Sequence, residues 1–373
     1  MFSEIVDSYH WETLNEEVKT KTKQDVERAL QTEYLSVEDF KALISPAAAD
    51  YLEIMAAKSR SITQKRFGKT IQLYIPLYLS NECTNHCVYC GFNHNNQIDR
   101  IVLNEDEILA EVEVIKNMGY EHLLLLTGES PKHAGVDYIE HAIKLVRPYF
   151  KQISLEVQPL STDEYKRLID VGLHGVYIYQ ESYHKTHYSM YHPAGKKKDY
   201  TWRINTPDRL GEAGVHKIGL GALLGLENWR VEAVFLALHL RYLEKKYWRT
   251  KYALSFPRIR PHAGGFMPNY LLSDKDLAQM IWAFRIFDHD VEMSLTTRES
   301  PHFRNHMIDL GITSMSAGSK TDPGGYTHDE AELQQFATND NRNPKEMMKI
   351  IQEKGYETVW KDWDPHFEVK RFN

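Results

Sequence analysis

The three cysteines of this chain lie together in one short stretch, Cys83-Thr-Asn-His-Cys87-Val-Tyr-Cys90, with the spacing CxxxCxxC. Thiolates bind soft metals, and three of them are one short of a closed site. A structural zinc takes four protein ligands, and an ordinary [4Fe–4S] cluster takes four cysteines. Three ligands leave a position open, and an open metal position is where a small molecule can bind and react. The economical reading is a [4Fe–4S] cluster with one iron free. Two other readings stand beside it: a structural zinc completed by His86 or His94, and a cluster protein that only carries electrons.

Such a loop needs a scaffold. Residues 1–68 read as helical, with Val26, Leu30, Leu35, Phe40, Leu43, Tyr51, Ile54 and Met55 at helical spacing. From Ile71 onward, short apolar runs alternate with amphipathic stretches. Strands are predicted at 71–78, 122–127, 152–157, 175–180, 216–222, 251–256, 291–296 and 312–316. Helices are predicted near 104–118, 136–149, 161–171, 202–213, 229–246, 274–288, 301–309 and 344–354. Asn104 with Glu107, and Ser161 with Glu164, are capping signals. This alternation is the pattern of an α/β (β/α)8 barrel of the TIM type, although an open doubly wound sheet shares it locally. The expected division is an N-terminal helical extension over 1–68, the barrel over 69–320 and a C-terminal extension packed on it over 321–373. The loops 182–201 and 317–342 are long and polar, and long loops in compact domains are commonly functional.

In a barrel the active site forms at the C-terminal ends of the strands. The cysteine loop follows the first predicted strand, and Thr127-Gly128-Glu129 follows the second. Glu156 and Gln158 end the third, Tyr179-Gln180-Glu181 the fourth, and Arg258, Arg260 and His262 follow the sixth. Thr297-Arg298-Glu299 ends the seventh, and Ser316 to Lys320 ends the eighth. Polar groups at one end of nearly every strand point to a ligand carrying several charges. Each residue also has a plainer reading. Glu129, Glu156 and Glu181 could cap helices, Arg298 could make a structural ion pair, and Ser316 and Ser319 could be turn residues beside Gly318. Gly219 and Gly221 could admit a cofactor or serve tight packing.

The net charge of −7 argues against a nucleic-acid binder, and the longest basic run noted is Lys196–Lys198. No apolar run approaches the roughly 18–20 residues needed to span a bilayer. The N-terminus is acidic and lacks a signal-peptide core. Clustered cysteines are not a disulfide framework, so a reducing cytoplasm is expected.

CxxxCxxC with an aromatic, Tyr89, before its third cysteine resembles the loop of radical S-adenosylmethionine enzymes. The segments PLYLSNECTNHCVYCGF, HLLLLTGE, LEVQPL, YQESYH, TPDRLGEAG, KIGLGALLGL, SFPRIRP, LTTRES and VWKDWD resemble, more closely, the 2-iminoacetate synthase family over nearly the whole chain. That resemblance implies cleavage of the Cα–Cβ bond of L-tyrosine to 2-iminoacetate and p-cresol for thiamine-thiazole synthesis. It implies a [4Fe–4S] cluster on Cys83, Cys87 and Cys90 and S-adenosylmethionine on its open iron. Thr127-Gly128-Glu129 stands where the superfamily has a Gly-Gly-Glu-like motif facing the methionine amino group, with the first glycine absent. Tyr89, Thr127, Gly128 and Glu129 are thus expected in the cofactor site, with Arg203 at the cofactor's carboxylate, Glu156 at its ribose and Glu181 nearby. A buried substrate carboxylate is best met by a bidentate arginine; Arg298 is the candidate, with Ser316 and Ser319 donating hydrogen bonds. The implied partners are thiazole synthase and a flavodoxin or ferredoxin electron donor. A sister family, the tyrosine lyase of hydrogenase maturation, carries a second cluster in a C-terminal extension, and this sequence has no cysteine after Cys90. A tryptophan lyase is a further relative, and no spacing separates the two substrates.

Overall fold

A computed structural model describes residues 1–328 and 333–361. The N-terminal part is helical, as its periodicity predicts, with α-helices at Phe2–Val6, Trp11–Lys19, Lys23–Gln31, Val37–Leu43 and Leu52–Phe67. Two of these start at reciprocal capping boxes, Thr22 with Asp25 and Ser36 with Asp39. They pack on the outside of the barrel. Phe40 lies against Phe284 and Phe287 at 4.7 and 4.9 Å between ring centroids, and Phe2 stacks on His239 at 3.8 Å. Ile54 departs from the expected apolar face and is 54% exposed.

Eight strands follow: β1 (Thr70–Ser80), β2 (His122–Thr127), β3 (Gln152–Glu156), β4 (Gly175–Tyr177), β5 (Lys217–Gly221), β6 (Lys251–Ser255), β7 (Glu292–Leu295) and β8 (Ser314–Ser316). All pair in parallel with their sequence neighbours, and β1 pairs with both β2 and β8. The ring is therefore closed, which excludes the open sheet. Strands buried on both faces read as continuous apolar runs, and Leu123 to Leu126 are all buried. The predicted caps are present as capping boxes at Asn104 and Ser161.

Two features depart from the predicted elements. The helix expected at 202–213 is two helices, Tyr200–Ile204 and Thr206–Ala213, separated at Asn205. Pro207 has no N–H to donate to the carbonyl of Arg203, so one continuous helix would lose a bond there. A further strand, β9 (Glu357–Val359), was not anticipated. Gln72 pairs with Ser314 of β8 and with Val359 of β9. A strand has two edges, so β9 takes, at the base of β1, the edge that β2 takes from Ile75 upward. Trp360 follows it and meets Tyr120 edge-on at 5.2 Å; Trp363 and Asp364 lie outside the described residues.

Gly219 and Gly221 serve packing against tyrosine rings. A Cβ on Gly219 would sit 2.0 Å from the Tyr177 ring, and one on Gly221 would sit 2.6 Å from the Ser255 carbonyl oxygen and 2.8 Å from the Tyr179 ring. Gly219→Ala overpacks the barrel and is expected to cost about 1–3 kcal/mol. Denaturant unfolding of the two proteins checks this, and equal stability would refute it.

Candidate functional site

The cysteine loop leaves the top of β1 and is braced from within by one arginine. Arg100 Nη1 donates to the carbonyls of Asn81 (3.0 Å) and Phe92 (2.9 Å), and its Nη2 donates to those of Asn93 (2.7 Å) and Asn96 (3.2 Å). Such carbonyls need donors once buried, and a single guanidinium supplies them. Burial pushes all three thiols up from their ordinary value; for Cys83 it does so to about 11, with Glu129 and Cys90 adding to the effect. Thiols so placed ionise only against added positive charge, which a bound metal provides.

The zinc reading needs a fourth protein ligand from His86 or His94. His94 uses Nδ1 on the Cys83 carbonyl at 3.1 Å, and neither His86 nor His94 lines the cavity beside the sulfurs.

One cavity at the C-terminal ends of the strands takes in every residue expected to hold the cluster, the cofactor or the substrate. Cys83, Cys87, Tyr89, Cys90, Thr127, Gly128, Glu129, Glu156, Glu181, Arg203, Arg298, Ser316 and Ser319 all line it. On one wall Glu129 Oε1 meets Arg203 Nη1 at 2.9 Å, and its Oε2 accepts from Asn85 Nδ2 at 2.7 Å. Burial would raise this carboxyl, but Arg203, Lys197 and Asn85 outweigh it and hold Glu129 below its ordinary value. Glu181 Oε1 lies 2.7 Å from Lys197 Nζ and 3.5 Å from Arg203 Nη2. Burial and Arg203 oppose charge on Lys197, yet Glu181 and Glu129 contribute to holding it above its usual range. Neither Glu129 nor Glu181 caps a helix.

Glu181 is the one non-glycine with positive φ (68°) among the described residues. Such backbone costs on the order of 1–3 kcal/mol and persists where surroundings over-determine it. Here the Leu223 N–H donates to the Glu181 carbonyl at 2.8 Å, and the Gln180 N–H to that of Gly221 at 3.1 Å. These bonds continue the β4–β5 pairing past the strand ends.

Glu156 has no hydrogen-bond or salt-bridge partner among the described residues. Burial first, and then Glu181, push it up to about 7. Across the cavity Arg298 stacks on Phe336, its guanidinium carbon 3.3 Å from the ring centroid, and Nη1 donates to the Arg258 carbonyl at 3.3 Å. It has no carboxylate within ion-pair distance among the described residues. The neighbouring Arg258 is taken by Glu299 and by Asp274. Ser316 Oγ accepts from the Thr297 N–H at 3.3 Å, while Ser319 Oγ, Thr127 Oγ1 and Arg260 Nε are buried without partners among the described residues. Tyr89 Oη lies 2.6 Å from His192 Nε2. His192 Nδ1 donates to the Tyr188 carbonyl at 2.9 Å, and burial holds the ring neutral, so the Tyr89 hydroxyl is the donor to Nε2. His262 instead sets its two nitrogens on the carbonyls of Arg260 and Val88.

Sequence reasoning missed Asn85, Lys197, Gln335 and Phe336, all of which line the cavity. Lys197 belonged to a run noted only for its charge, and Gln335 and Phe336 to the long loop 317–342. No local pattern distinguished them.

Comparison with known proteins agrees with this geometry. Residues 77–238 match the Radical SAM superfamily, and residues 255–357 match the Biotin and Thiamin Synthesis associated domain. The 2-iminoacetate synthase of Salmonella typhimurium (strain LT2) is 48% identical over 95% of this chain and 94% of that protein. The 2-iminoacetate synthase of Escherichia coli (strain K12) is 46% identical over 98% of this chain and 97% of its own. Among solved structures, HydG, a maturase of the [FeFe]-hydrogenase, superposes with a TM-score of 0.90 at 32% identity, covering 96% of this chain and 82% of that one. Likeness sustained over both the barrel and its extensions leaves one conclusion, that this chain belongs to the 2-iminoacetate synthase family of radical S-adenosylmethionine lyases.

Proposed function

We propose that this chain cleaves the Cα–Cβ bond of L-tyrosine to 2-iminoacetate and p-cresol, in the service of thiamine-thiazole synthesis. The observation that carries this reading is Arg298. It is a half-buried guanidinium, stacked and oriented by Phe336, with no carboxylate of its own among the described residues, in the same cavity as the three cysteines. A partly desolvated cation without a partner calls for an anionic group from a ligand.

In this reading Cys83, Cys87 and Cys90 would hold a [4Fe–4S] cluster, with S-adenosylmethionine beside it. That pair would supply the one-electron chemistry for removing a hydrogen atom from the tyrosine amino group. The chain's own task is placement. Glu129, fixed by Arg203 and Asn85, accepts from the cofactor's amino group, beside Thr127 and Gly128. Arg203 and its neighbour Glu181 set the charge around the cofactor's carboxylate, Glu156 accepts from its ribose, and Tyr89 borders the adenosine. Arg298 grips the tyrosine carboxylate, with hydroxyl donors at Ser316 and Ser319. Holding donor and acceptor in line, away from water, is worth several kcal/mol of barrier. The division into residues 1–68, 69–320 and 321–373 belongs to the same proposal. So do a cytoplasmic setting, a flavodoxin or ferredoxin donor, and transfer of the labile product to thiazole synthase. No helix among the described residues is long and apolar enough to cross a membrane.

An anaerobic assay with reconstituted cluster, S-adenosylmethionine, reductant and tyrosine tests the reaction, with 5′-deoxyadenosine and p-cresol as products. 5′-Deoxyadenosine without p-cresol would move the search to tryptophan, and neither product from an intact cluster would return the electron-carrier reading. Arg298→Lys removes the bidentate fork. It is expected to lower kcat/KM for tyrosine by about 2–5 kcal/mol, or roughly 30- to 5,000-fold. Cluster content should be unchanged, and a kcat/KM within a factor of two of the parent protein would sink the assignment.

Glu156 gives a pH dependence. Its carboxyl sits near pH 7, and a ribose hydroxyl donates to the ionised form. Affinity for S-adenosylmethionine should therefore be full above that value and fall as pH drops through it. Glu156→Gln should flatten the curve. Equilibrium binding to cluster-loaded protein from about pH 6 to about pH 8.5 covers the transition, and identical profiles for the two proteins would exclude the ribose role.

A further inference from the structure

We propose that Gln335 is a positioning residue that raises the reduction potential of the cluster by donating an N–H···S hydrogen bond to Cys90. The inference rests on the cluster reading above. Gln335 Nε2 lies 3.7 Å from Cys90 Sγ, within range for a bond to sulfur. The other end of the amide accepts from Tyr78 Oη at 2.9 Å. A cysteine thiolate has only lone pairs to offer, so the amide must turn its N–H toward the sulfur and its oxygen toward the phenol.

The backbone around this amide is fixed. The Gly91 N–H donates to the Gln335 carbonyl at 2.9 Å, and the Gln335 N–H donates to the Thr321 carbonyl at 2.9 Å. Glycine is required at 91 for this approach, because a Cβ there would stand 2.7 Å from the Gln335 carbonyl oxygen. The residue after the third cysteine is thus shaped to receive a segment remote in sequence. Gln335 is a side chain that reaches a cysteine sulfur from outside the cysteine loop, and Phe336, next to it, covers Arg298.

Reduction places one more negative charge on the cluster and its sulfurs. An N–H dipole aimed at Sγ stabilises that charge, and hydrogen bonds to the sulfurs are among the factors that set such potentials. Losing the donor makes reduction harder.

The experiment is an EPR-monitored redox titration of cluster-loaded protein, with viologen mediators and dithionite as reductant, without cofactor or substrate. Q335L should lower the midpoint, reducing the ratio of reduced to oxidised cluster several-fold at fixed potential; tenfold corresponds to about 59 mV for one electron. Q335E, which keeps the shape but loses the donor, should shift it in the same direction. An unchanged midpoint with full iron and sulfide would overturn the proposal. Should either variant lose its cluster, pulsed EPR on the unsubstituted protein decides. With glutamine labelled by nitrogen-15 at the side-chain amide, a coupling to the reduced cluster is expected, and its absence also overturns the proposal. If the unsubstituted protein holds no iron–sulfur cluster, the cluster reading fails first, which keeps the two failures apart.

Discussion

The site depends on keeping opposite charges dry and close to one another. Glu129, Glu181, Lys197 and Arg203 have side chains only 6–12% exposed. At an effective dielectric near 20, unit charges about 3 Å apart attract by roughly 5–6 kcal/mol. Drying each ion costs several kcal/mol, so the network contributes little net stability. Its effect is to fix charges in place before any ligand arrives. Together with Glu156, Arg260 and Arg298, the cavity lining holds three carboxyls and four cations. A ligand carrying both an amino and a carboxylate group adds no net charge to it, and each end of such a ligand finds a partner of opposite sign.

A second constraint is the upper edge of β1. The strand pairs with β8 only from Gln72 to Tyr74, which leaves Pro76 without a strand partner on that side, below the bridge from Ser80 to Val102. A proline inside a fully paired strand forfeits a ladder bond. Pro76 avoids that loss: its carbonyl accepts from Tyr326 Oη at 2.7 Å, on the edge β8 leaves open, where its missing N–H would also point. The C-terminal segment thus finishes the barrel with side chains. Its position is set by Glu111, whose carboxylate takes the N–H groups of Tyr326 and Thr327 at 3.1 and 2.7 Å. It is set again by the buried pair of Arg304 and Asp340. Gln335 and Phe336 fall where they touch the cysteine loop and Arg298.

These two constraints explain what could be read in the sequence. The strands were legible because runs such as Leu123 to Leu126 announce burial on both faces. The residues at their ends were legible because a barrel gathers strand ends by construction, and so Glu129, Glu156, Glu181 and Arg298 met in one cavity. β9 was not legible, since three residues with no apolar run carry little strand signal, and its pairing with β1 depends on chain far away. The break at Asn205 was legible in principle, with Pro207 as its cause. Gln335 and Phe336 were not, because their contacts are set by the open edge of β1.

Lys197 shows the same limit at the level of one charge. Three consecutive lysines look alike in sequence, and such a run is ordinarily a solvated surface. In the fold they form a single 3-10 turn, Lys196–Lys198, which sends neighbouring side chains in different directions. Lys196 and Lys198 are exposed, whereas the Lys197 ammonium lies against Glu181 in the cavity wall. The turn comes this close because Gly195, at φ 90°, has no Cβ to strike Asn85 Oδ1, which would lie 2.3 Å away. That same Oδ1 accepts the Lys197 N–H at 2.9 Å, while the other end of the Asn85 amide holds Glu129. One asparagine inside the cysteine motif therefore orients both a carboxylate and the cation that balances its neighbour. Between Cys83 and Cys87 the intervening residues are part of the site's charge arrangement as well as spacers between ligands.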